Sequence, residues 1–208
     1  GSVINSEKGW VPGVAITGSY MADCRSWTPN LYLFARGTYQ NGHTDYFNNT
    51  ALVGAKDPAT MWNGDFRVGK GFEVTPNFVI TPYIGAGTHY WKRTIVAVPT
   101  GAFIEDYSHG YVGGGLLMQW APTRGVVLSA YGLGGSTFDS KMRFDGTTPA
   151  NYAALGPIHT YRLGNSATVK AGASIDYALT EAWHINAGID YTWFKYGASS
   201  QELLPAFT

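Results

Sequence analysis

The chain of 208 residues carries 14 basic and 14 acidic side chains, so it has no net charge, and its charged fraction is 13%, about half that of soluble domains. That balance excludes a basic nucleic-acid footprint and a polybasic membrane-surface anchor. Too few charges remain to cover a water-exposed surface of ordinary make-up. No run of about 18 apolar residues occurs, which excludes a transmembrane helix.

No Pro/Ser-rich or charge-rich linker divides the chain, so one domain over residues 1–208 is expected. Cys24 is the lone cysteine and cannot form an internal disulfide. The first residues lack a charged-then-apolar secretory leader, so an exported chain is expected in its mature or trimmed form. The 27 glycines, 14 tyrosines and 7 tryptophans instead suggest alternation, by which a membrane barrel hides its hydrophobicity.

In chain order, the first two predicted strands are Val14–Ala22 and Leu31–Gln40, joined by a connection containing Cys24 and Pro29. A strand over 61–74 follows, then the turn Thr75-Pro76-Asn77 and a strand over Phe78–Trp91. In the latter, Ile80, Ile84 and Ala86 alternate with Thr81, Tyr83, Gly85, Gly87 and His89, a period of two. Gly110–Trp120 and Val126–Phe138 flank the turn over 121–125. In the last hairpin, Ala167, Val169, Ala171, Ala173, Ile175 and Tyr177 alternate with polar residues and glycine. After a turn over 178–182, Trp183, Ile185, Ala187, Ile189, Tyr191 and Trp193 do the same.

Four hairpins give eight strands. Between them lie polar stretches at about 41–60, 94–106 and 139–165, read as long loops. Short turns on one rim and long loops on the other predict an all-β, antiparallel up-and-down transmembrane β-barrel. Ten residue steps from Trp183 to Trp193, at about 3.3 Å each and a tilt near 40°, give a height of roughly 25 Å. Aromatic girdles are then expected at both edges of the apolar band. Phe72, Phe78, Trp120, Tyr177 and Trp183 fall at the short-turn rim, and Trp62, Tyr90, Trp193 and Tyr196 at the loop rim.

The opposite faces carry scattered charges among Gly, Ser, Thr and Tyr, as a polar lumen would. Centring the last turn at Thr180 sets Lys170 opposite Asp190, and Asp176 opposite His184. With Arg36, Asp65, Arg67 and Glu73 these form an expected internal ion-pair network, because a charge in a narrow barrel needs a partner. Gly85, Gly87, Gly113, Gly115 and Gly188 share this face and make room for Tyr83, Tyr111 and Tyr131, so a filled lumen is expected. Lys70 points outward, which a lipid-facing position accommodates only near the interface.

No phosphate loop, nucleophile elbow, cysteine-pair metal signature or kinase-like set is present. Gly113-Gly114-Gly115 is a strand feature, and Asn48-Asn49-Thr50 a polar loop that happens to fit a glycosylation sequon. The hairpin around 94–106 has its centre near Pro99, which places His89 and His109 at equal heights on the inner face, with Glu105 and Asp106 close by. Two imidazoles and a carboxylate suit a transition metal or the base and orienter of a hydrolase. Without a fixed third ligand they fall short of a metal signature, so polar lining of the mouth is expected, with no metal or cofactor assigned. Asp176 with His184 is a second acid–imidazole pair, with no Ser or Cys nucleophile beside it.

The alternation over roughly residues 11–196, and the stretch Thr81-Pro82-Tyr83-Ile84-Gly85-Ala86-Gly87-Thr88-His89-Tyr90-Trp91 after a short turn, resemble the small outer-membrane β-barrel proteins of Gram-negative bacteria, a group that includes the OmpA-like barrels. The resemblance implies localisation in the bacterial outer membrane, contact with the lipid bilayer and insertion by the barrel-assembly machinery. It implies no substrate. One departure is that short turns inside all four hairpins put both ends on the long-loop side, whereas such proteins usually keep both termini periplasmic. The eight strands would then belong to a ten-stranded whole, or the topology would be inverted. The expected role is a non-enzymatic barrel whose loops at 41–60 and 139–165 meet external partners or solutes. The alternatives are a narrow, porin-like channel gated by Lys170 and Asp190, a barrel hydrolase with His89 and His109 at its mouth, and a soluble ligand-carrying barrel.

Overall fold

The computed structural model describes residues 5–22, 27–48, 51–97, 101–146, 159–180 and 183–197. Their regular elements are β1 (Asn5–Trp10), β2 (Gly13–Met21), β3 (Leu31–Asn48), β4 (Ala51–Lys70), β5 (Phe72–Thr75), β6 (Phe78–Ala97), β7 (Gly101–Thr123), β8 (Val126–Gly146), β9 (His159–Arg162), β10 (Ala167–Ala178) and β11 (His184–Phe194). All belong to one antiparallel sheet in the order β1-β3-β4-β6-β7-β8-β10-β11, with β2 also on β3, β5 on β6 and β9 on β8.

The eleven segments are eight successive strands, three of them interrupted. β1 and β2 lie along one edge of β3 and are separated at Val11-Pro12, where proline has no N–H to give the ladder. The Pro12 carbonyl still accepts from the Asn41 N–H at 2.9 Å. β4 and β5 break at Gly71, and β9 and β10 share β8. Each strand therefore pairs with its neighbours in sequence, as the alternation predicts.

Two expected loops are ribbons. β3 and β4 continue pairing from Asn41↔Thr60 to Asn48↔Ala51, and β6 and β7 from Arg93↔Glu105 to Ala97↔Gly101. The polar side chains that suggest loops leave the backbone ladder intact, and Tyr46, Phe47 and Ile95 are good strand formers. Lys56, at φ 55°, turns its N–H to Asp45 Oδ1 at 2.9 Å. In the third stretch β8 runs on to Gly146, past a bulge at Asp139 with φ 49°, and residues 147–158 lie outside the described set. Cys24, Asn49 and Thr50 lie outside it too. Segment β1 precedes the first strand expected from the sequence.

The last hairpin is centred one residue later than predicted. Gly172 pairs with Asp190 and Lys170 with Thr192, while Asp176 pairs with Asn186 and Ala178 with His184. The turn is fixed by the Trp183 carbonyl, which accepts from the N–H groups of Leu179 and Thr180, and by Trp183 N–H donating to Thr180 Oγ1 at 3.0 Å. Moving the centre by one residue shifts each partner by two, so both faces keep their side chains.

The sheet curls into a half-barrel whose edges are β2 and β11. A closed ladder is expected from the sequence, but no pairing joins these strands among the described residues. Inside the curl, Tyr32, Tyr83, Tyr111, Leu117 and Leu133 form the buried core, with Phe34 and Tyr131 packed against it. The opposite face exposes Ile16, Phe66, Ile84, Val112, Ile175 and Ile189.

Candidate functional site: the interior of the curled sheet

The inner side chains fall into three layers. Nearest the short turns, the Arg67 guanidinium donates to Asp65 through Nε at 3.1 Å and Nη2 at 3.0 Å. It lies over the rings of Tyr131 at 4.0 Å and Phe34 at 4.5 Å. Lys170, from the far side of the curl, donates to Asp65 Oδ2 at 2.7 Å and Tyr111 Oη at 2.8 Å. Arg36 donates to Asp190 Oδ2 at 2.5 Å, and the Tyr131 hydroxyl donates to Asp190 Oδ1 at 2.7 Å. Burying such charges is tolerable only when each is paired and hydrogen-bonded. Glycine is needed opposite the rings: a Cβ at Gly87 would meet Tyr111 Oη at 2.5 Å, and one at Gly115 would meet Tyr83 Cζ at 2.5 Å.

The middle layer is a plug of rings. His89 and His109 are ladder partners, as the Pro99 symmetry predicts. Their centroids are 5.0 Å apart, and Phe194 lies 4.9 Å from one and 4.7 Å from the other. His89 Nδ1 is 2.5 Å from Asn63 Oδ1, and His109 Nδ1 is 3.1 Å from Tyr196 Oη. Tyr196 stacks on Tyr107 at 5.6 Å. It lies inside, packed on His109 and Tyr107, and not in the outward girdle expected at the loop rim. The third layer, inside the ribbons, joins Arg93 to Glu7 and to Glu105, the latter at 2.5 Å with Tyr107 also donating to Glu105 at 2.9 Å.

Of the residues singled out by sequence, Arg36, Asp65, Arg67, Lys170 and Asp190 come together, but with different partners. Lys170 takes Asp65 instead of Asp190, because the register sets Thr192 opposite Lys170, and Asp190 takes Arg36. His184 Nδ1 and Asp176 Oδ1 are 2.6 Å apart despite lying on a diagonal, and both stay partly exposed at the short-turn rim. Glu73 is exposed on β5, apart from the cluster. Glu105 serves Arg93, and Asp106 faces the other way, opposite Lys92. Among the described residues no group of three or more His, Cys, Asp or Glu is placed to hold a metal ion.

Phe72, Trp120, Tyr177, Trp183, Trp62 and Trp193 are exposed on the outward face, where Trp62 stacks on Tyr90 at 5.5 Å, and Phe78 is half-buried. Lys70 is exposed as well. The ion pair Arg93–Glu105 was missed by sequence reasoning, although both residues are equidistant from Pro99, the symmetry that pairs the histidines.

Between the charged layer and the ring plug is a cavity of about 710 Å³, bordered by Arg36, Asp190, Lys170, His89 and Phe194 and by residues of both sheet edges. No protein-family model, curated protein or solved structure matches the chain.

Proposed function

We propose that the chain is an integral β-barrel protein of the bacterial outer membrane, with a filled interior and a non-catalytic role exercised through the ribbons and loops that project beyond the bilayer. The observation that carries this reading is an inverted distribution of polarity. Ile16 is 83% exposed, Ile84 66% and Ile189 75%, whereas Asp65 is 9% and Arg67 3% exposed. In water, so extended an apolar surface is a liability; in lipid it is the favoured solvent-facing side.

The dimensions support the same reading. Outward apolar and aromatic residues on β6 run from Phe78 to Tyr90, and Lys92 follows on that face. Twelve steps at about 3.3 Å and a tilt near 40° span about 30 Å, the thickness of a hydrocarbon core. β6 and β7 run 20 and 23 residues, so the β6–β7 ribbon projects past the band toward external partners. The partners implied are the lipid bilayer and the machinery that inserts barrels.

The stacked rings and the Arg67 cluster block the section along the axis, which supports a non-conducting interior over a pore or a hydrolase. The test is to refold the purified chain with phosphatidylcholine vesicles and float them on a density gradient. Co-flotation that survives alkaline carbonate is expected. A chain that stays dispersed without lipid or detergent, at the bottom of the gradient, overturns the reading.

A further inference from the structure

Along the axis the cavity is bordered by two packed layers, and it reaches both sheet edges. Toward the short turns it meets Arg67 and the packed rings of Tyr83 and Tyr131. Toward the ribbons it meets the plug of His89, His109 and Phe194. Its border, however, includes Val14 and Ala15 of β2 and Gly188 and Ile189 of β11. Val14 and Ile189 belong to the outward alternates, so the cavity reaches the two edges, which no pairing joins among the described residues.

The lining has a sign. Arg36, Arg67 and Lys170 stand against Asp65 and Asp190, three cations to two anions. The Arg36 side chain lines the cavity and stays 32% exposed, so its guanidinium has donors open to a bound acceptor beside the one given to Asp190. At the edges the lining turns apolar, with Trp10, Val14 and Ile189. A volume of about 710 Å³ is within the usual range of small-molecule sites, about 300–1,000 Å³.

Resting on the membrane reading above, we infer that this cavity is a binding site for a single-chain amphiphile with a carboxylate head, entering sideways from the bilayer between β2 and β11. The carboxylate takes the Arg36 guanidinium and the field of Lys170. The acyl chain leaves along Val14 and Ile189 into lipid, so the only charge moved from the interface comes to rest beside a cation.

The probe is cis-parinarate, a fluorescent 18-carbon acid, with its methyl ester as the neutral control, both added to the protein in phosphatidylcholine vesicles. Energy transfer from tryptophan reports binding, and Trp10→Phe identifies the component that arises at the cavity. One saturable site per chain is expected for the acid, with the ester weaker by about tenfold or more, the usual worth of a charged hydrogen bond. Arg36→Gln should weaken the acid by about the same factor and leave the ester unchanged. Ala15→Phe, which fills the cavity without touching a charge, should remove saturable transfer from both. Unheated electrophoretic migration confirms that each variant is folded. No saturable site, or equal affinity for acid and ester with no effect of Arg36→Gln, overturns the inference. Failure to float with vesicles instead overturns the membrane reading on which it rests.

Discussion

Lys170 on β10 reaches across the interior to Asp65 on β4, Nζ to Oδ2 at 2.7 Å, and ties together two strands that share no ladder. Asp65 also holds Arg67, so one carboxylate carries two cations from opposite sides of the curl.

That arrangement makes Asp65 the costlier residue to remove. Asp65→Asn leaves two buried cations short of a counter-charge, and Lys170→Met leaves Asp65 with Arg67. Removing one partner of a buried pair costs about 3–5 kcal/mol, so Asp65→Asn should lower stability by at least that and Lys170→Met by less. Urea unfolding of the vesicle-inserted protein, followed by tryptophan fluorescence, measures both.

The glycines opposite the tyrosines give a second contrast. Gly115→Ala drives a methyl group against the Gly132 carbonyl and the Tyr83 ring and should cost about 1–3 kcal/mol, as overpacking does. Gly134→Ala, where an added Cβ meets nothing within 4 Å, should change the unfolding midpoint little. Equal costs at the two positions would show that the inner face is not close-packed at Gly115.

His109 contributes mainly as a ring. It touches Phe194 and Tyr196 at centroid distances of 4.7 and 5.5 Å, so His109→Phe should retain most of the stability. His109→Ala opens a gap among the rings and should cost about 2–4 kcal/mol. The same denaturation series distinguishes them, and a Phe variant as unstable as the Ala one would assign the weight to the Tyr196 hydrogen bond.

A charge on the outward face should matter by depth. Ile84→Arg is near the middle of the apolar band and should cost about 2–4 kcal/mol in the bilayer. Thr94→Arg, beyond Lys92, should cost close to nothing. Comparable losses at both sites would contradict a lipid-facing band.

Most of the fold was legible because a period of two survives any uncertainty about turns. The reading placed Asp65, Arg67, Lys170, Tyr83 and Tyr111 inside and Ile84, Ile175 and Ile189 outside, and the burial agrees. The partner of Lys170 was not legible, since it depends on how the sheet curls and on where one turn is centred. Tyr196 shows an error that parity alone corrects: with Trp193 outward, Phe194 and Tyr196 both fall inward, where they pack against His109. The ribbons are hidden by their polar composition, which reads as loop, while the backbone ladder is indifferent to it.

Whether the outward face meets lipid is decided by a nitroxide scan of residues 79–90 on β6, one cysteine at a time in a Cys24→Ser background, in phosphatidylcholine vesicles. Collision with oxygen, which dissolves in the hydrocarbon, should alternate with a period of two, high at Ile80, Ile84 and Ala86 and low at Thr81, Tyr83 and Gly85. Preferential collision with a water-soluble nickel chelate at Ile80, Ile84 and Ala86, or no alternation at all, would contradict a membrane-spanning barrel.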